Sequence, residues 1–225
     1  MLKRLSLSAL TLGVGFLAQP AFASFHLMQI EQVIGGVNGD TTRQAIQLRM
    51  RQANQNLVGQ ATVVAWDATG ANPVVLANIP SSVANSAAGS RVLLATASFG
   101  VVSPDFVMNP IPASYLAGGK ITFETDNATP GTQIWWALAW GTYSGTNTGV
   151  TTGGGGNDAD GNFNPPATGA LPSTGQTALR FPGAASALST NNLADYAPTT
   201  GQYVFTNNAG ATGTLPVELI EFKVQ

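Results

Sequence analysis

Residues 44–51 read Gln-Ala-Ile-Gln-Leu-Arg-Met-Arg, and this stretch decides the fold class. Three apolar residues alternate there with three polar ones. The apolar residues are Ile46, Leu48 and Met50, and the polar residues are Gln47, Arg49 and Arg51. A period of two places the two sets on opposite faces of a β-strand, whereas a helix would scatter them around its circumference. The stretch therefore predicts a strand with one buried face and one solvated face.

Similar segments recur along the chain and predict an all-β protein. Residues 61–66 and 74–79 flank the turn-forming run Asp67-Ala68-Thr69-Gly70, which predicts a hairpin. The other predicted strands are 25–33, 91–95, 120–124, 133–140, 202–206 and 216–224. About eight or nine short strands separated by turn residues are typical of an immunoglobulin-like antiparallel β-sandwich. We therefore expect residues 24–225 to form a single sandwich domain.

Residues 144–178 break this pattern. The segment contains nine glycines, four of them consecutive at 153–156, and is otherwise rich in Thr, Asn and Pro. Because few of its side chains are suited to a core, we expect a long loop on the sandwich. The sequence leaves open whether that loop is ordered.

The first 23 residues have the composition of a secretory signal peptide. Lys3 and Arg4 precede an apolar run at 5–17, and Ala21-Phe22-Ala23 supplies the small residues of a cleavage site before Ser24. The apolar run is too short for a good transmembrane span. The segment therefore predicts export from a bacterium. It leaves open whether the destination is the periplasm, the cell surface or the medium.

Composition excludes several kinds of site. The chain has no cysteine and a single histidine, His26, so thiolate zinc sites, iron–sulfur clusters and multi-histidine metal centres are excluded. After the expected leader, seven basic and eleven acidic residues remain, which argues against nucleic-acid binding and against an anionic membrane surface. No cofactor is predicted. The protein or surface partner and the oligomeric state are not fixed by the sequence.

The run Asn157-Asp158-Ala159-Asp160-Gly161-Asn162 is the nearest approach to a metal motif. Alternating oxygen-bearing side chains suit calcium, which takes six to eight oxygen ligands. Phe163, however, stands where an EF-hand loop needs glycine, and Gly169 stands where it needs the bidentate glutamate. A solvated turn is the alternative interpretation of Asp158 and Asp160.

Three of the four tryptophans lie between residues 134 and 140. In a regular strand, Ile134, Trp136, Leu138 and Trp140 share one face. Core packing is the ordinary use of such large rings. The functional alternative is a sugar-stacking surface built from Trp135 or Trp140.

Two groups of charged residues were considered as sites. Arg49 and Arg51, together with Arg43, predict a small basic patch, which is either a solvated face or a contact for an anionic ligand. Glu124 and Asp126 are close enough in sequence to suggest a carboxylate pair, but their spacing alone assigns no acid–base role.

Three stretches resemble, in order, the lamin-tail-like domain of exported bacterial proteins. They are residues 28–33 with 44–49, residues 56–63, and residues 178–181 with 191–196. Glu31 stands at the acidic position of the family's first strand, and Arg180 stands in the segment similar to its closing "sl.R" motif. Gln47 replaces the acidic residue of the family's "iEL.N" motif, so the match departs from the pattern there. The resemblance implies an immunoglobulin-like sandwich that serves as a non-catalytic accessory module.

Taken together, these features predict a secreted or cell-surface β-sandwich that acts as an interaction or structural module and is not an enzyme. The alternative is a carbohydrate- or calcium-binding module. A secreted hydrolase is the third hypothesis, and no motif supports it.

Overall fold

The computed structural model describes residues 25–126, 129–145, 164–174, 176–199 and 203–216. Several predictions concern residues outside these ranges. They are the signal peptide at 1–23, its cleavage site at Ala21, Ala23 and Ser24, the candidate calcium ligands Asp158 and Asp160, and the last strand beyond Pro216.

The described part of the chain contains twelve strands and one short α-helix. They are β1 (Met28–Ile34), β2 (Ala45–Met50), β3 (Ala61–Trp66), β4 (Val74–Asn78), β5 (Arg91–Ala95), β6 (Phe106–Val107), β7 (Gly118–Thr125), β8 (Ile134–Gly141), β9 (Leu179–Arg180), α1 (Asn192–Asp195), β10 (Ala197–Pro198), β11 (Val204–Thr206) and β12 (Thr212–Thr214). The predicted bounds of β3 and β5 agree with the structure. The short strands β6, β9, β10 and β12 were not predicted.

The strands form two sheets and a separate hairpin. The six-stranded sheet has the order β10-β9-β1-β2-β5-β6, the four-stranded sheet has the order β4-β3-β7-β8, and β11 pairs with β12. Every strand pair is antiparallel except β5–β6. The predicted all-β sandwich and the β3–β4 hairpin are therefore confirmed, and the architecture is consistent with an immunoglobulin-like fold.

The core lies between the two sheets. The six-stranded sheet contributes residues such as Ile30, Ile46 and Leu48, and the four-stranded sheet contributes Phe123 and Trp136, all of them fully buried. Trp136 donates through Nε1 to the Tyr196 hydroxyl at 2.7 Å, and that hydroxyl donates to the Ile30 carbonyl at 2.6 Å. The indole is thus buried with its one polar atom bonded, as aromatic core residues usually are.

The prediction that β2 has a solvated face is wrong, because the outer face of the six-stranded sheet is covered as well. Gln47 is 1% exposed, Arg49 6% and Arg51 8%. Gln47 Oε1 accepts from the backbone N–H of Thr206, at the end of β11. Arg49 Nη2 donates to the carbonyl of Gly183 at 2.7 Å. Segments more than 130 residues away in sequence supply this cover.

A second packing layer lies on the same outer face. It contains Ile34 from β1, Leu93 from β5, Phe99, and Phe205 from the β11–β12 hairpin. The rings of Phe99 and Phe205 meet edge to face, with centroids 5.4 Å apart. The hairpin is therefore docked onto the sheet by apolar contacts, and this burial keeps the polar residues beside it away from solvent.

The prediction that Ile134 shares a face with Trp136 is also wrong. The β7–β8 register shifts so that Phe123 pairs with Trp136 and Glu124 pairs with Ile134, which places a bulge at Trp135. A bulge inserts one residue and reverses the facing of those beyond it. Ile134 consequently packs in a small outer cluster, while Trp135 and Trp136 both join the main core.

The described residues between 164 and 178 enter the core more than the composition predicted. Ala167, Leu171 and Ala178 are all buried. Ala167 bonds to β8, because its N–H donates to the Ala139 carbonyl at 2.9 Å. This end of the predicted loop is therefore packed along the edge of the four-stranded sheet.

Candidate functional site

The most unusual feature of the described structure is a group of charged side chains on the outer face of the six-stranded sheet. Three arginines surround one glutamate, and we call these four residues the arginine cluster: Glu31, Arg49, Arg91 and Arg180. They come from four neighbouring strands, β1, β2, β5 and β9. The cluster lies between the β11–β12 hairpin and the segment around Gly183.

A β-bulge in β1 directs Glu31 outward. Ile30 pairs with Leu48 and Gln32 pairs with Gln47, so Glu31 is the additional residue between them. Ile30 and Val33 both belong to the inner core, which leaves Glu31 and Gln32 together on the outer face. The bulge therefore places a carboxylate where strict alternation would place only one polar side chain.

Glu31 is fully buried and both of its oxygens are engaged. Arg91 approaches with two nitrogens, Nε at 2.7 Å from Oε2 and Nη2 at 3.0 Å from Oε1. Arg49 Nη1 lies 3.1 Å from Oε1, and Gln47 Nε2 donates to Oε2 at 2.7 Å. Burial opposes the charged form of Glu31, but the hydrogen bond from Arg91 and the charges of Arg49 and Arg91 outweigh it, so its pKa lies below the usual value.

Arg49 is held by more partners than the glutamate alone. Its Nε donates to Gln29 Oε1 at 2.6 Å, and its Nη2 donates to the Gly183 carbonyl. Burial lowers the pKa of Arg49, with the Glu31 charge acting in the opposite direction. Arg49 therefore ties the strand to the segment that covers it.

Arg180 is bound differently from the other two arginines. Its Nη2 lies 3.7 Å from Glu31 Oε1, and its guanidinium carbon lies 5.0 Å from the centre of the Tyr203 ring. Within the described ranges it makes no hydrogen bond, and its buried Nε has no partner. The side chains of Arg180 and Arg91 are 31% and 34% exposed, so solvent reaches the cluster on this side.

A second row of polar residues lies on the outer face of the four-stranded sheet. Lys120, Thr122 and Glu124 alternate along β7, and all three are buried. Trp66 Nε1 donates to Thr122 Oγ1 at 2.8 Å, and the Thr122 hydroxyl donates to Glu124 Oε1. The backbone N–H of Gly131 donates to Glu124 Oε2 at 2.6 Å, so both carboxylate oxygens are occupied.

Burial controls the pKa values of this row. It lowers the pKa of Lys120 to about 8, although the charge of Glu124 acts in the opposite direction. It raises the pKa of Glu124 despite the hydrogen bonds from Thr122 and Gly131. The ammonium of Lys120 lies 4.9 Å from the centre of the Trp66 ring, which is within the range of a cation–π contact.

The structure places the other sequence-predicted residues in structural roles. Trp140 is fully buried and its Nε1 donates to the Tyr115 carbonyl at 3.0 Å, while Trp135 is 5% exposed and stacks on His26. Neither ring offers a free face for stacking on a sugar. Arg43 bonds to the carbonyls of Ser98 and Phe99 and is not one of the arginines around Glu31.

The suggested carboxylate pair is divided between different partners. Glu124 bonds to Thr122 and Gly131, as described above, whereas Asp126 accepts from the Thr62 hydroxyl at 3.2 Å. Both border an open polar depression of about 440 Å³ that is lined in part by Thr62 and Asn78. Within the described ranges, no group of three or more His, Cys, Asp or Glu side chains is placed to hold a metal ion.

A groove of about 570 Å³ lies elsewhere, beside Asp105 and Phe106. Asp105 accepts backbone N–H groups from Leu93 at 2.8 Å and from Asn208. Asn208 in turn donates to the carbonyl of Arg91 at 2.9 Å. These bonds fasten the β11–β12 turn to β5, and they give the groove wall a structural role.

Sequence reasoning missed the arginine cluster as a site. It identified Arg49 only as part of a surface patch, and it identified Glu31 and Arg180 only through the family resemblance. A usable signal was the break in alternation at residues 30–33, where two polar residues separate two apolar ones. Nothing local to Arg91 indicated that it would meet Glu31.

Comparisons with protein-family models, with curated proteins and with solved structures find no match to this chain. Among the described residues there is also no helix of the length and apolarity needed to cross a membrane.

Proposed function

We propose that this chain is an exported, non-catalytic β-sandwich that binds a partner where Arg91 and Arg180 remain partly exposed on the outer side of its six-stranded sheet, a surface that we call the binding face. The observation that carries the proposal is the composition of the arginine cluster. Three guanidiniums share one carboxylate, and two of the three are about one-third exposed. Arginines that are fixed in place and still reached by solvent are suited to recognising negatively charged groups.

The non-catalytic part of the proposal is supported by the way the buried carboxylates are used. Both oxygens of Glu31 and both oxygens of Glu124 already accept hydrogen bonds from the protein. A general acid or base needs a proton that it can exchange with a substrate within hydrogen-bond reach. The resemblance to the lamin-tail-like domain supports the same function, since that family consists of accessory modules.

Export is supported by residues 1–23. Mass spectrometry of the protein recovered outside the cytoplasm tests this part directly. We expect a mature chain that begins at Ser24. A chain that retains Met1 and stays in the cytoplasm would contradict export.

Binding is tested with residues 24–225 on three immobilised polymers: neutral dextran, dextran sulfate and a polyuronic acid. We expect retention on an anionic polymer that weakens as salt is added, because electrostatic contacts are screened. The Arg91→Gln/Arg180→Gln double variant should lose retention. Arg43→Gln, whose side chain binds the Ser98 and Phe99 carbonyls instead, is the matched control.

Three results would contradict the proposed function. Equal retention of the double variant would remove the arginine cluster from the binding face. Release of soluble products from a polymer, abolished by Glu124→Gln or Asp126→Asn, would show a hydrolase. Retention on neutral dextran alone would support the carbohydrate-binding alternative.

A further inference from the structure

The arginine cluster contains more positive charge than its own carboxylate can neutralise. Glu31 is the only acidic residue within ion-pair distance of any of the three arginines among the described residues. Since arginine stays protonated in proteins, three positive charges face one negative charge. The cluster therefore has two positive charges in excess in a partly buried setting, where charge repulsion is weakly screened.

The same region also has more hydrogen-bond donors than acceptors. Within the described part of the chain, two buried donors have no partner, Arg180 Nε and Gln29 Nε2, whereas one buried acceptor of this face, Gln32 Oε1, has no donor. Buried donors are normally satisfied, so unsatisfied ones indicate that an acceptor belongs nearby. An anion on the exposed side of Arg91 and Arg180 would supply the missing negative charge and additional acceptor oxygens.

The exposed side of the cluster fixes where such an anion would lie. Glu31 and Arg49 are buried beneath it, whereas Arg91 and Arg180 reach solvent. Arg91 uses Nε and Nη2 for Glu31, which leaves Nη1 free of that pair. The Tyr203 ring, 5.0 Å from the Arg180 guanidinium, limits the positions that this side chain can take.

The excess of two charges selects the chemical class. A carboxylate or a sulfate ester would neutralise one of these charges, whereas free sulfate or an ionised phosphate monoester would neutralise two. Both present several acceptor oxygens, which match the fork of donors on arginine. We propose that Arg91 and Arg180 bind a tetrahedral oxyanion, a sulfate or phosphate group, and that this group is what the binding face recognises on its partner.

This inference rests on the proposed function, because it names the group that the same face binds. It is tested with residues 24–225 and inorganic sulfate or inorganic phosphate, titrated at constant ionic strength at pH 7.5. Acetate and chloride serve as the singly charged comparison. Isothermal titration gives the affinity, and thermal unfolding gives an independent reading, because a ligand that binds only the folded state raises Tm.

Arg180→Gln is the decisive variant. The Arg180 side chain makes no hydrogen bond within the described ranges, so its loss should leave the fold intact. We expect sulfate or phosphate to bind the wild-type chain. The affinity for Arg180→Gln should be lower by a factor of about ten or more, which is the loss expected for a charge-assisted hydrogen bond. Arg43→Gln should bind as the wild type does. Circular dichroism of each variant verifies the fold.

The inference is overturned if neither dianion binds the wild type, if Arg180→Gln binds equally well, or if acetate and chloride produce the same response. Sulfate binding at Arg180 without polymer retention would support the inference and contradict the proposed function. If retention on polyuronic acid depends on Arg180 but neither sulfate nor phosphate binds, the proposed function is supported and the inference is contradicted.

Discussion

The outer faces of the two sheets both bury ionisable side chains, yet they balance charge differently. On the four-stranded sheet, Lys120 and Glu124 contribute one charge of each sign, and each influences the pKa of the other. On the six-stranded sheet, three arginines surround Glu31 alone. Burial of charge therefore does not by itself distinguish a binding face from a structural one. We propose that unmatched charge within reach of solvent is what distinguishes a binding face.

The largest expected effect is the difference in unfolding free energy between two glutamate-to-glutamine variants, one on each sheet. Glu31→Gln removes the only carboxylate among the described residues that pairs with the arginine cluster, and breaking a buried pair in this way costs about 3–5 kcal/mol. Glu124→Gln should cost about 1 kcal/mol or less, because burial already favours the neutral form of Glu124 and the amide retains an acceptor oxygen. Urea unfolding at pH 7 measures both free energies. Equal costs would mean that the two faces do not differ as described.

Acid should remove most of the difference in unfolding free energy between the wild type and Glu31→Gln. The folded pKa of Glu31 lies below its ordinary value of 4.5, so its stabilising contribution is present above pH 4.5 and is lost as the pH falls through the folded pKa. Glu124 has the opposite sign, because its raised pKa makes the folded chain take up a proton first. Unfolding of the wild type and both variants from pH 7 to pH 3 tests this contrast. A Glu31→Gln difference that stays constant over that range would contradict it.

Two arginines of the cluster should differ in their importance for stability. Arg49→Gln breaks hydrogen bonds to Gln29 and Gly183 as well as the ion pair, and we expect a loss of about 2–4 kcal/mol. Arg180→Gln removes a charge that repels its neighbours and breaks no hydrogen bond within the described part of the chain, so its cost should be below about 1 kcal/mol. Chemical unfolding of the two variants in parallel provides the measurement. A larger loss for Arg180→Gln would show that Arg180 has a structural role.

The smallest effect concerns Lys120 at alkaline pH. Burial lowers its pKa from 10.5 to about 8. Between these values the unfolded chain binds more protons than the folded chain, so the free energy of unfolding rises with pH. We expect a rise of about 1 kcal/mol from pH 8 to pH 9.5, absent in Lys120→Met. The range ends there because the pKa of Tyr143 is raised to about 12, and tyrosine ionisation in the unfolded chain then acts in the opposite direction. A flat wild-type profile would contradict the described burial of Lys120.

Local pattern was sufficient to predict β3, β4 and β5. The bounds predicted for β3 and β5 were confirmed, as was the β3–β4 hairpin, because alternation and turn residues are encoded within the segments themselves. The bulges at Glu31 and Trp135 were not predicted, since they arise from the register between strands. Each one reversed the facing of nearby residues.

The candidate site could not be predicted from local sequence pattern, for a related reason. Arg49 and Gln47 have the alternation of a solvated face, and they are buried because Gly183 and Thr206 lie over them. Glu31 meets Arg91 across 60 residues of sequence. The number of positive charges around one carboxylate becomes visible only when the four strands are adjacent.

The most direct test of the account is the NMR signal of the Arg180 side-chain Nε–H, followed while sulfate is added to residues 24–225. We expect a saturable change in the chemical shift of that signal, because sulfate binds the solvent-exposed part of the guanidinium to which the buried Nε belongs. The Nε–H of Arg43, which already bonds to backbone carbonyls, should not change. An Arg180 signal that sulfate leaves unaltered would contradict the claim that this face has an open site for an anion.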